Sequence, residues 1–361
     1  MSVPELDLSV DAATLTRVIC DVESVSGDEG PLADAVEAAL RRLAHLEVLR
    51  DGDTVVARTH LGRPERVVLA GHLDTVPPQG EARARRVGDR LYGLGATDMK
   101  GGDAVALALV ETLDAARLRF DLAAVFYDGE EGPHAGNGLG RLLAEMPWLR
   151  AASLAILLEP TDAGVEAGCN GVINAEVRVA GRSAHAARPW AGVNAIERAA
   201  PWLAEIVRVP VVPVRVQGLE FRETLQVTTL HAGRARNVIP DELVATLNHR
   251  FTPDRTPAGA EAALRARVPA EFEFRVVDAA PAGRVALDHP LVREFVARFA
   301  LPVAGKQGWT DVARFSAAGV PAFNFGPGVP ELCHVADEYC PIANLARVHD
   351  CLARFLREEP T

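Results

Sequence analysis

The chain has 361 residues, 48% of them hydrophobic and 24% charged; that is enough apolar material for one large or two ordinary cores, and too ordinary a charge content for wholesale disorder. Its net charge of −11 argues against nucleic acid as the main partner, because phosphate binding wants a basic surface. Five cysteines (Cys20, Cys169, Cys333, Cys340 and Cys351), odd in number and without C-x-x-C spacing, do not suggest a disulfide framework and fit a reducing compartment, with the cytoplasm as the expected location. The opening MSVPELDLSVDAATL lacks a basic segment followed by an apolar one, so no signal peptide is expected, and no apolar run reaches the length of a membrane span.

In chain order, Asp11–Val22 has the helical apolar spacing Leu15, Val18, Ile19, and a capping loop (residues 24–30) leads to a second helix expected over Pro31–Leu46. Three short apolar runs follow: Val67–Ala70, Leu122–Phe126 and Leu154–Leu158. Each reads as a buried strand. Helices are expected between them over Gly101–Leu118 and Gly138–Met146, an alternation that predicts an α/β domain with a mostly parallel sheet. The pattern changes near residue 172. A strand over Val172–Val179, a helix over Asn194–Val207, strands over Glu223–His231 and Glu242–Phe251, a helix over Pro257–Val268 and a strand over Glu271–Val277 give β-α-β-β-α-β, the order of a ferredoxin-like α+β unit. Helices over Pro290–Phe299 and Ala343–Arg357 return to the first style. The expected organisation is a catalytic domain over 1–171 and 283–361, interrupted by an inserted domain over 172–282.

Candidate ligands follow each of the three apolar strands: Gly71-His72-Leu73-Asp74, Asp128-Gly129-Glu130-Glu131-Gly132 and Glu159-Pro160. In open α/β sheets ligands bind beyond the carboxyl ends of the strands, so three such groups at one end of one sheet is a spatial prediction. A fourth cluster is Asp98 in GATDMKGG, and a fifth is His334 in CHVADE. Any one of these alone is a surface pair, a solvated helix end or a cap. Together, two imidazoles and several carboxylates suit zinc and its near neighbours, and one bridging carboxylate would make a two-metal hydrolase site.

The segments GHLDTVP, GATDMKGG, DGEEG, LLEP, GRSAHAARPW and CHVADE resemble the signatures of the di-zinc acylase and carboxypeptidase family, whose members include desuccinylases, deacetylases, aminoacylases and carboxypeptidases. The stretches GPLADAVEAAL, DGDTVVART, NGLGRL, NVIPDE, GWTDVARFSA and NFGPG look closest to its actinobacterial succinyl-diaminopimelate desuccinylases. The resemblance covers nearly the whole chain and implies a zinc-peptidase-like catalytic domain carrying a lid and dimerisation domain. It implies two Zn²⁺ per subunit, with Co²⁺ or Mn²⁺ as substitutes. His72 would hold one ion and His334 the other, Asp98 would bridge them, and Glu159 and Glu131 would complete the two sites. Glu130 would be the general base, and the peptide after Asp98 would be cis. Asp74, two residues from His72 on the same side of an extended segment, could hydrogen-bond the second imidazole nitrogen. His185 would reach the active site from the partner in a homodimer. Asn237, Arg250, Arg188, Arg236, Trp309 and Thr310 are the expected substrate contacts, since a dicarboxylate acyl group and an amino-acid carboxylate need guanidinium or amide donors. The expected reaction is hydrolysis of a small N-acyl amino acid, N-succinyl-diaminopimelate first and N-acetylornithine or another acyl amino acid or dipeptide second, with a non-catalytic metal-binding relative as the alternative of a different class. His134 reads as a loop residue, and Cys333 and Cys169 as small buried neighbours.

Overall fold

The computed structural model describes residues 5–79 and 83–357, and its contacts divide the chain into two units. The larger unit holds the chain through Gly168, Arg284–Gly305 and the chain from Thr310 onward; the smaller holds Cys169–Gly283 and Lys306–Trp309.

In the larger unit an eight-stranded sheet runs in the order Glu47–Asp51, Thr54–Arg58, Asp121–Tyr127, Arg66–His72, Leu154–Leu157, Ala322–Asn324, Val165–Cys169, Val303–Lys306. The three apolar strands read from the sequence are direct neighbours, and both pairings, Arg66–His72 with Asp121–Tyr127 and with Leu154–Leu157, are parallel. Their carboxyl ends therefore share one edge. The sheet is parallel at its centre and antiparallel towards its margins, where Thr54–Arg58 joins Asp121–Tyr127 and Ala322–Asn324 joins Val165–Cys169. Val67, Val68, Leu69 and Ala70 are all buried, as continuous apolar runs must be when both sheet faces are covered.

Two helices are shorter than the spacing suggests. The second ends at Leu40, because residues 41–46 tighten into turns with Arg42 N–H bonded to Ala39 O and Leu43 N–H to Leu40 O; Leu43 and Leu46 still pack on the core, so the apolar period continues after the helix stops. The helix expected over Gly101–Leu118 covers Lys100–Thr112, and Asp114 then caps a separate single turn by accepting from Ala116 N–H. The hairpin of Glu47–Asp51 with Thr54–Arg58, turning at Gly52 with φ +57°, was not anticipated. Neither were the three-residue strand Ala322–Asn324 and the helix Val312–Ala317.

The smaller unit is a five-stranded antiparallel sheet, Val212–Val216, Leu219–Ala232, Glu242–Phe251, Gly171–Ala180, Glu273–Ala280, with helices Ala195–Ile206 and Pro257–Arg265. The β-α-β-β-α-β order holds, with Val212–Val216 as an added edge strand. Along Glu242–Phe251 every second residue is buried, and Leu243, Ala245, Leu247 and Phe251 share a core with Trp202, Ile206 and Leu264. The first and last residues of its main segment meet: Cys169 and Gly283 exchange two backbone hydrogen bonds, at 3.2 and 3.0 Å. Residues 306–309 join this unit because Gln307 donates to Glu220 O and accepts from Arg222 N–H, both at 2.9 Å. Among the described residues no helix is long and apolar enough to cross a membrane.

Candidate active site

At the shared carboxyl edge of the larger unit, the strand Arg66–His72 delivers His72, the loop after Asp121–Tyr127 delivers Glu130 and Glu131, and the segment after Leu154–Leu157 delivers Glu159. Asp98 comes from the turn before the helix Lys100–Thr112, and the Asp98–Met99 peptide is cis. His334 comes from the late loop in a left-handed conformation, φ 61°.

The ligand atoms of His72, Asp98 and Glu159 lie within 4.8 Å of one another, and so do those of Asp98, Glu131 and His334. Asp98 belongs to both sets. Its Oδ1 is 3.2 Å from His72 Nε2 and its Oδ2 is 3.4 Å from His334 Nε2, so the carboxylate faces an imidazole with each oxygen. His334 Nε2 is also 2.7 Å from Glu131 Oε1. One imidazole, one private carboxylate and one shared carboxylate on each side is a donor set suited to a pair of divalent ions. A third set within 4.8 Å joins His72 to Glu130 and Glu131, which puts Glu130 in the same cluster.

The electrostatics follow from this crowding. Burial alone would raise the Asp98 carboxyl, but its bonds to His334 and His72 outweigh burial and hold it far below the usual range. Burial opposes protonation of His72, yet Asp74 and Asp98 hold its proton well above the ordinary imidazole range. His334 is raised to about 10 by Asp98 and Glu131. A cation arriving here displaces those protons. Glu130 moves the other way: burial, reinforced by the charges of Glu159, Asp311 and Glu131, pushes its carboxyl well above the ordinary range, against the pull of His72. Such a carboxyl holds a proton more readily than a solvated glutamate does.

Asp74 meets His72 and holds further partners besides. His72 Nδ1 lies 3.0 Å from the Asp74 main-chain carbonyl and 3.4 Å from its carboxylate. The carboxylate is mainly taken by Glu130 N–H at 3.0 Å, Glu131 N–H at 2.9 Å and the Ser26 hydroxyl at 2.6 Å. Asp74 thus orients the backbone that carries both glutamates, because a strand-end carboxylate two residues past His72 points at the neighbouring strand's loop. Glu29 Oε1 accepts from Gly129 N–H at 3.1 Å and steadies the same loop. Asp128 is ion-paired to Arg141 at 3.0 Å. Neither role was legible, since Ser26 and Glu29 lie in a stretch that reads only as a capping loop.

The carbonyl of Leu158, just before Glu159, sits in a cradle without side chains. A Cβ on Gly102 would come within 2.4 Å of it, and one on Gly326 within 2.1 Å. Both positions require glycine by close approach. Asp103, one turn into the same helix, is fully buried with neither carboxylate oxygen hydrogen-bonded among the described residues, and burial pushes its carboxyl up.

The remaining expected site residues are placed separately. His185, Arg188, Arg236, Asn237, Arg250 and Trp309 belong to the smaller unit. There the segments of His185 and Asn237 run side by side: Ala186 N–H donates to Asn237 O at 2.9 Å, and Ile239 N–H to Ala184 O at 2.8 Å. His185, Arg188, Arg236 and Asn237 are exposed, and His185 Nδ1 accepts from Ala187 N–H at 3.1 Å. Arg250 lies on the sheet face opposite the helices, its Nε donating to Asn248 at 3.1 Å. Trp309 Nε1 donates to Pro281 O at 3.0 Å. Thr310, in the larger unit, is buried with its hydroxyl donating to Asn324 at 3.0 Å, an anchor for its loop. Cys169 is buried, but Cys333 is only partly so, because the loop that turns His334 outward carries Cys333 with it. Arg314 donates to His134 O at 2.6 Å, so the His134 loop is tied down.

Fold and site together define a metal-dependent hydrolase with paired ligand sets at the end of an α/β sheet. Residues 68–358 match the family described as Peptidase family M20/M25/M40, and the chain belongs to that family. It is 44% identical over 353 residues, 97% of this chain and 99% of the relative, to a putative succinyl-diaminopimelate desuccinylase DapE of Mycobacterium tuberculosis (strain CDC 1551 / Oshkosh). It is 38% identical over 363 residues, 98% of each chain, to a succinyl-diaminopimelate desuccinylase of Corynebacterium glutamicum. Among solved structures, the aminopeptidase PepT of Bacillus cereus is similar in fold, with a TM-score of 0.77 at 17% identity, covering 97% of this chain and 98% of that one. Human carnosine dipeptidase 1 gives 0.72 at 14% identity, covering 96% and 95%.

Proposed function

We propose that this chain hydrolyses the amide bond of N-succinyl-LL-2,6-diaminopimelate to succinate and LL-2,6-diaminopimelate, using two zinc ions per subunit. The observation that carries the reading is the pair of ligand sets sharing Asp98 with Glu130 beside them, in a chain whose relatives of 44% and 38% identity bear the desuccinylase name. His72, Asp98 and Glu159 would hold one ion, and Asp98, Glu131 and His334 the other; bound there, the ions would supply Lewis acidity towards the amide carbonyl and ease deprotonation of water. Glu130 takes the proton of the attacking water and returns it to the departing nitrogen. Asp74 holds the main chain of Glu130 and Glu131 in place while the proton moves. Arg250, Arg188, Arg236 and Asn237 are the proposed donors to the substrate's carboxylates, and Trp309 and Thr310 are further proposed substrate contacts. We further propose that the enzyme works as a homodimer in the cytoplasm, with His185 contributed across the dimer. Its Nδ1 is satisfied by Ala187 N–H, which favours a tautomer presenting Nε2–H outward to a developing oxyanion.

The test is turnover of N-succinyl-LL-diaminopimelate against N-acetylornithine by zinc-loaded protein, followed by amine release. Strong preference for the succinyl compound supports the reading. Preference for the acetyl compound keeps the two-metal chemistry and overturns the substrate. No turnover of any acyl amino acid by protein holding zinc overturns the enzyme.

A further inference from the structure

The loop that carries Asp98 has no regular secondary structure, yet its carboxylate must keep one oxygen on each side of the site. What holds it arrives from the far end of the chain. Glu338 is 5% exposed. Its Oε1 accepts from Thr97 N–H at 2.8 Å and Asp98 N–H at 3.1 Å, and its Oε2 accepts from Gly95 N–H at 3.1 Å. Gly95 has φ +78°, which lets amides within four residues converge on one carboxylate, a concavity of the kind that binds anions. Further bonds clamp the same two segments: Gly93 N–H to Glu338 O at 3.3 Å, and the Thr97 hydroxyl to Tyr339 O at 2.6 Å. Glu338 stands four residues after His334 in sequence. The segment that supplies His334 therefore also fixes the main chain of Asp98.

We infer that Glu338 is a positioning residue: by gathering the amides of Gly95, Thr97 and Asp98 it sets the bridging carboxylate and fixes the spacing of Asp98 relative to His334, and so the affinity of the site for a second divalent ion. This rests on the proposed metal reading but not on the substrate. A carboxylate in this place is expensive. Burial takes it out of water, and a buried group with only a filling role would be better replaced by an apolar one.

The variants Glu338→Gln, Glu338→Ala and Thr97→Val separate positioning from packing. Glutamine keeps an oxygen for Thr97 and Asp98 while turning an amide group towards Gly95. Thr97→Val removes the clamp bond to Tyr339 O, and with it the acceptor of Val329 N–H at 3.4 Å, without touching the amides gathered by Glu338. Zn²⁺ affinity is read by chelator competition without substrate, beside the melting temperature of the metal-free protein. Glu338→Ala is expected to weaken binding of the second zinc about 10- to 100-fold, the range seen when groups behind metal ligands are removed. Glu338→Gln, which keeps the oxygen for Thr97 and Asp98 but sets a donor against Gly95 N–H, should recover part of that loss, and Thr97→Val should lose less than about threefold. In turnover, kcat should fall with little change in KM, and excess zinc should restore part of it. The inference is overturned if Glu338→Ala folds and binds both ions as the parent does, if Thr97→Val weakens zinc as much as Glu338→Ala, or if Glu338→Gln is no better than alanine. Because zinc binding is read alone, preference for another acyl substrate would fail the functional proposal and leave this result standing.

Discussion

The two ligand sets share Asp98 but sit in different surroundings. His72 is 1% exposed and ends a strand hydrogen-bonded on both sides, whereas the His334 side chain is 47% exposed and stands on a loop in a left-handed conformation. On the first side, Glu159 is buried behind the glycine-lined cradle of the Leu158 carbonyl. On the second, Glu131 and His334 are held by loop contacts. The difference teaches that the site proposed for two metals is not symmetric in its supports: one half is part of the sheet, the other is attached to it. The first ion should therefore bind more tightly and exchange more slowly than the second.

The largest effect tests whether Glu130 belongs to neither half. Glu130→Ala should lower kcat by about 10²- to 10⁴-fold, the reach of a general base, with both zincs still bound by elemental analysis; loss of an ion would make Glu130 a ligand. Next, His72→Ala and His334→Ala should both inactivate but differ in the metal-free protein. His72→Ala removes the buried imidazole that lies between Asp98 and Asp74 and should cost about 3 kcal/mol in urea unfolding. His334→Ala, at a half-exposed site, should cost under about 1 kcal/mol. Equal costs would erase the comparison. Gly326→Ala pushes on the Leu158 carbonyl and should cost about 1–3 kcal/mol while weakening the buried half more than the exposed one in zinc titration. The smallest effect is in pH. The folded pKa of His334, raised to about 10, lies above its unfolded value near 6.5. The stability it contributes is whole below pH 6.5 and is lost as pH rises through 10, worth only about 1 kcal/mol after solvent screening. The metal-free melting temperature should fall over that range. Zinc-loaded protein, whose imidazoles no longer titrate, should show a flatter profile.

The central strands and the convergence of five candidate donor positions were legible because buried parallel strands are continuous apolar runs, and because glycine and proline mark where each ends. The small unit's core order was legible from alternation. What stayed hidden has physical causes. Ala322–Asn324 is a strand only through its neighbours, being too short to show a period. The hairpin at Gly52 carried an Asp-Gly signal, but Val55, Val56 and Ala57 are buried together and do not alternate. The supports of the site, Glu338 under Asp98 and Asp74 under Glu130, act through backbone amides, and a side chain that binds main chain leaves no complementary residue to find. Asp74 was noticed as a partner of His72, but the other partners of its carboxylate lie 48, 56 and 57 positions away.

The paired ends of the smaller unit have a practical meaning. Since Cys169 and Gly283 are hydrogen-bonded to each other, the long insertion leaves the chain and rejoins it at one place. Such a segment can be exchanged between homologues as a cassette with both splice points fixed. Recombination at that seam would shuffle Arg250, Asn237 and His185 as a set while the ligands stay with the host, except for Trp309, whose four-residue segment would have to travel as a second, separate graft.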